Sequence, residues 1–77
     1  MENEYMKHPI LKKDIELVPT SEEFLEMARE NNFHNLGEIL EIRADGLLKR
    51  PLFNYRMLSE LGSILQFYGL LELLKDD

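Results

Sequence analysis

Between Leu58 and Tyr68 the apolar residues Leu58, Leu61, Ile64, Leu65 and Tyr68 recur at intervals of three and four, the spacing of one face of an α-helix. Gly69 then supplies a residue that tolerates left-handed backbone, and Leu70 the apolar contact of a Schellman end. A helix from about Asn54 to Tyr68 is therefore expected. Gly62 inside it costs about 1 kcal/mol relative to alanine, which points to close helix packing there. The rest of the chain follows the same logic. Thr20-Ser21-Glu22-Glu23 is a capping-box pattern, opening a helix to about Asn31 that buries Phe24, Leu25, Met27 and Ala28. Asn31-Asn32 ends it, because Asn accepts left-handed geometry. Asn35 and Glu38 repeat the spacing, with Leu36, Ile39 and Leu40 at the helical period. A short helix from Ala44 to Lys49 buries Leu47 and Leu48 and stops before Pro51.

No alternating strand pattern, repeat or low-complexity tract appears. The fold class expected is all-α: a compact bundle of four short-to-medium helices with an extended N-terminal arm. In that arm Ile10, Leu11, Ile15 and Leu17 pack on the core, and Pro19 ends it. The expected core is Leu36, Ile39, Leu40, Leu47, Leu48, Phe53, Leu58, Leu61 and Leu65. Residues 1–8 and 75–77 read as flexible tails around a single domain over 9–74.

Seventy-seven residues make one domain at most. A core of that size supplies roughly 3–5 kcal/mol. With no cysteine, disulfides and thiolate metal sites are excluded. MENEYMKHP lacks the basic start and apolar run of a signal peptide, no apolar run approaches a membrane span, and the cytoplasm is the expected compartment. The initial Met points to a free-standing chain.

The net charge of −6 disfavours generic phosphate binding. Only residues 43–56, with Arg43, Lys49, Arg50 and Arg56 against Asp45, offer a basic patch. His8 and His34 stand alone and read as structural. No catalytic triad, Gly-rich phosphate loop or paired carboxylates stand out, so the chain is read as non-enzymatic, with no cofactor, metal or small-molecule ligand. Glu22, Glu23 and Glu26 are either a solvated helix face favouring its own N-terminus or an acidic docking surface. Lys49, Arg50 and Arg56 are either plain surface or an anion- or partner-binding patch. Phe67, Tyr68, Leu70, Leu71, Leu73 and Leu74 either fold back on the core or form an interface. Tyr55, Phe67 and Tyr68 are candidate anchors for such an interface, while Phe53 reads as core.

The order of elements carries a resemblance. Leu36-Gly37-Glu38-Ile39-Leu40, Gly46-Leu47-Leu48-Lys49-Arg50-Pro51, Leu58-Ser59-Glu60-Leu61 and Tyr68-Gly69-Leu70 resemble, in order, the I-G-D-L, E-L-L-K-x-P, S-L-x-E-I and x-G-L stretches of one family. That family is the C-terminal domain of the bacterial RNA polymerase α subunit, of helix-hairpin-helix-like fold. Residues 36–71 align without a gap, and His8-Pro9-Ile10-Leu11 and Asp14-Ile15-Glu16-Leu17 are similar to its D-P-I-L and D-L-E-L. The likeness covers about residues 8–73.

The resemblance implies a module that binds the DNA minor groove and is gripped by transcription activators. The family's DNA contacts are an S-V-R-x-x-N stretch opening the first helix and an L-G-K-K-S loop opening the last. Helix N-termini attract phosphate, and Arg enters the narrow groove. This chain departs at both places. Asn54 stands at the Gly position, Tyr55 replaces the first Lys, Arg56 keeps the second charge, and Met57 replaces Ser. Between Leu17 and Phe33 the chain is longer than the family; one register puts Thr20 and Glu23, the other Glu23 and Glu26, at the Arg and Asn positions. Neither supplies an Arg.

The function expected is a non-catalytic, transcription-linked protein-binding module with weak or no DNA binding. Its partner would be the transcription machinery, a regulator or a second copy. The alternatives are a DNA-binding domain using Lys49, Arg50, Asn54, Tyr55 and Arg56 in a changed pose, and a self-associating scaffold.

Overall fold

A computed structural model of the chain describes residues 8–74. The expected tails lie outside this range except for His8, which belongs to the folded part. Four α-helices form: α1 (Glu22–Glu30), α2 (Leu36–Ile39), α3 (Ala44–Leu47) and α4 (Tyr55–Phe67). No strand occurs among the described residues. Among the described residues no helix is long and apolar enough to cross a membrane.

The N-terminal arm is coiled into two 3-10 turns, Pro9–Leu11 and Ile15–Leu17, and is not extended as expected. Each turn has a local side-chain cap: His8 Nδ1 accepts from the Ile10 N–H at 3.2 Å and Asp14 Oδ1 from the Glu16 N–H at 2.9 Å. Three residues per turn bring Ile15 and Val18 onto one side, and both are buried. Leu17 falls out of phase and is 66% exposed, so it does not pack on the core as expected. The Ile15 N–H donates to the His34 carbonyl at 2.8 Å, tying the arm to the segment before α2.

The cap of α1 is Ser21, one residue later than a Thr20–Glu23 box predicts. Its hydroxyl accepts from the Phe24 N–H at 3.1 Å. The reciprocal carboxylate comes from α4: Glu60 accepts from the Ser21 N–H and from its Oγ–H, both at 2.7 Å. Phe24, Met27 and Ala28 are fully buried, with Leu25 half-buried beside them. α1 ends in a Schellman motif with Asn32 at φ +60° and the Phe33 N–H returning 2.8 Å to the Ala28 carbonyl.

Asn35 caps α2 as expected, accepting from the Glu38 N–H at 2.8 Å. A Cβ on Gly37 would lie 3.0 Å from the Leu11 carbonyl oxygen, so the arm passes close against α2 and a side chain there would require the Leu11 backbone to give way. α3 ends at Leu47, two residues short of expectation, and a turn from Arg50 to Phe53 leads into α4.

α4 buries Met57, Leu61 and Leu65, while Leu58 and Ile64 are half-buried. Its inward face is thus centred on residues four apart beginning at Met57, rotated from the stripe read in the sequence. The Leu70 N–H bonds the Leu65 carbonyl at 2.7 Å and the Gly69 N–H the Gln66 carbonyl at 3.0 Å, with Gly69 at φ +73°, which is the Schellman end expected. The chain then folds back along α4 through a 3-10 turn, Leu71–Leu73. Of the expected core, Leu36, Ile39, Leu40, Leu47, Phe53, Leu61 and Leu65 are buried, whereas Leu48 and Leu58 are half-buried at its edge. Each fully buried leucine contributes about 1.5–3 kcal/mol.

Candidate interaction surface

The fold sets the N-terminal ends of α1 and α4 side by side, which brings together two groups of residues that the sequence singles out separately. Arg56, in the first turn of α4, reaches Glu23, in the first turn of α1. Its Nη1 donates to both carboxylate oxygens, at 2.6 and 2.8 Å. Both side chains are well exposed, so the pair is worth at most about 1 kcal/mol. Its electrostatic consequence is larger, because the single cation of the α4 N-terminus is neutralised locally. Asn54 closes that terminus further by accepting from the Met57 N–H at 3.0 Å, which occupies a donor otherwise open to an anion. Met57 is buried in the core beneath this face.

The remaining basic candidates are also engaged or isolated. The Arg50 guanidinium lies 5.7 Å from the centre of the Phe33 ring. Lys49 is exposed and forms no ion pair among the described residues. Tyr55 is 76% exposed in the first turn of α4.

On α1, Glu22, Glu26 and Glu30 are exposed and form no salt bridge among the described residues. Arg29 pairs with Glu16, donating through Nε at 2.8 Å and Nη2 at 2.7 Å, while the nearby charges of Glu26 and Glu22 also act on it. The hydrogen-bonded guanidinium lowers the Glu16 carboxyl from its ordinary range, and the carboxylate raises Arg29 in turn. His34 is exposed and contacts Glu38 at 3.1 Å; His8 is half-buried, with its ring 5.8 Å from that of Tyr68. Among the described residues no cluster of three or more metal-ligating side chains forms.

Beside these charges sits an apolar residue that the sequence reading passed over. Leu52 is 53% exposed and adopts φ +63°, the left-handed region that branched residues rarely enter. The turn that holds it spans Arg50 to Phe53, and Asn31 Nδ2 donates to the Pro51 carbonyl at 2.8 Å. Proline in second place followed by a positive φ is the form of a type II turn, where glycine or asparagine normally follows. The Pro-Leu dipeptide gives no warning of this.

The C-terminal segment does not form one patch. Leu70 and Leu73, expected as interface candidates, are core residues. Leu71 is 43% exposed, with its Cδ1 over Gly62. A Cβ on Gly62 would lie 3.7 Å from that atom, an ordinary contact, so no close packing requires the glycine. Leu74 and Tyr68 are half-buried against the core. Phe67 stands 81% exposed, edge-on to Tyr68, and the two border a concavity of about 260 Å³ with Pro19.

Comparison of the chain with protein-family models, curated proteins and solved structures gives no match.

Proposed function

We propose that the protein is a non-catalytic helical module of the RNA polymerase α C-terminal-domain type, linked to transcription through protein binding, with weak or no affinity for DNA. The type rests on the ordered likeness of residues 8–73 described above. The loss of DNA affinity rests on one observation: Glu23 holds Arg56 across the adjacent N-termini of α1 and α4. In the resembled family those two places meet the DNA backbone and minor groove. Here they carry a closed ion pair, an asparagine over the helix N–H groups and unpaired carboxylates alongside. A phosphate approaching this face meets net negative charge in place of a cationic helix end.

Reversing the departures tests the reading. A variant combining Glu23→Ser, Asn54→Gly and Tyr55→Lys frees Arg56, uncovers the helix end and restores a lysine. It is expected to gain affinity for A/T-rich duplex DNA over the wild type. Equal affinity in the two proteins contradicts this assignment of the face. The link to transcription is tested by recovery of RNA polymerase subunits or a transcription regulator with the tagged protein in a bacterial host.

A further inference from the structure

We propose that the groove between α1 and the Pro51-Leu52 turn seats a cationic amphipathic segment of a partner protein. Its apolar side chains would rest on Leu25 and Leu52, and its Lys or Arg side chains would meet Glu22 and Glu26. The inference rests on the protein-binding reading above and moves the docking face away from the C-terminal leucines.

Two adjoining concavities, of about 340 and 160 Å³, make the groove; Glu23 and Glu26 line both, Leu25 and Arg29 line the first, and Leu52 and Arg56 the second. Leu52 is more than half exposed on a left-handed backbone that asparagine or glycine would hold with less strain. Nothing in the folded core requires an apolar side chain there. Charge selects the occupant. Glu23 is already matched by Arg56, and Arg29 is matched by Glu16, so the lining carboxylates left without a salt bridge are those of Glu22 and Glu26. They lie four residues apart along one helix face. A cationic segment is complementary to that rim. A nucleic acid is repelled by it. A second copy in an isologous dimer would set these carboxylates against themselves.

The test uses a synthetic peptide of about 15 residues, four helical turns, with leucines on one face and lysines on the other. A second peptide of the same composition has its leucines spread around the helix. The amphipathic peptide is expected to bind and to shift the amide resonances of α1 and of the Pro51–Phe53 turn. Leu52→Asn keeps the turn geometry while removing the apolar contact. It is expected to melt no lower than wild type and to weaken binding about tenfold, as is Glu26→Lys. No binding overturns the proposal. So does equal binding of the scrambled peptide, indifference to Leu52→Asn, or shifts centred on Phe67 and Tyr68. Those outcomes leave the protein-binding reading standing, whereas tight duplex binding by the wild type overturns that reading itself.

Discussion

Glu60, in the middle of α4, closes the N-terminus of α1: its carboxylate takes both the backbone N–H and the hydroxyl of Ser21 at 2.7 Å. A capping box normally draws its carboxylate from three residues downstream; here it comes from 39 residues away. The bond therefore fixes how two helices dock as well as where one begins. It also leaves Glu23 free to hold Arg56.

Substitutions at this clamp separate the two candidate caps. Ser21→Ala is expected to cost about 1 kcal/mol and Glu60→Ala about 1–2 kcal/mol, since each leaves helix N–H groups unpaired. Thr20→Val is expected to cost nothing or to stabilise, because the Thr20 hydroxyl is buried without a hydrogen-bond partner. Chemical denaturation of the three variants measures this, and a larger loss at Thr20 than at Ser21 contradicts the observed cap.

The two helical glycines give opposite outcomes. Gly62→Ala is expected to stabilise by about 0.5–1 kcal/mol, since the new methyl meets only Leu71 at an ordinary distance. Gly37→Ala is expected to destabilise by about 1–3 kcal/mol, because its methyl would press on the Leu11 carbonyl. Thermal melts of the pair read the contrast directly.

The division of the C-terminal segment is equally testable. Leu70→Glu is expected to unfold the domain, as an unpaired charge would enter the core. Leu61→Ala is expected to cost about 2–5 kcal/mol. Phe67→Ser and Leu71→Glu are expected to leave it folded, by circular dichroism.

Acid stability has a defined direction at Glu16. Its folded carboxyl titrates lower than in the unfolded chain, so the Arg29 pair is fully present above the ordinary carboxylate range. The contribution is lost as pH falls through the folded value. Arg29→Met is expected to flatten the stability–pH profile in that window, with little change in its shape above it.

Much of the fold is legible from local chemistry. Asn35, Asn54, Asn32 and Gly69 cap their helices as their residue types suggest, because each acts within a few residues of itself. What stayed hidden depends on distant partners or on phase. Ser21 outcompetes Thr20 only because Glu60 arrives from α4. Met57 is buried because α4 presents a rotated face, and Leu17 is lost to solvent because 3-10 geometry replaces an extended arm. The candidate surface was legible as two charge groups, acidic at Glu22, Glu23 and Glu26 and basic at Lys49, Arg50 and Arg56. That Glu23 and Arg56 cancel one another across 33 residues follows only from the packing.

The most direct measurement is a salt-dependent anisotropy titration of the wild-type protein against a labelled A/T-rich duplex. With Arg56 held by Glu23 under a net charge of −6, binding at physiological salt is expected to be weaker than micromolar, and its salt dependence shallow because few phosphates are contacted. Sub-micromolar binding with a steep salt slope would contradict a closed, protein-binding face.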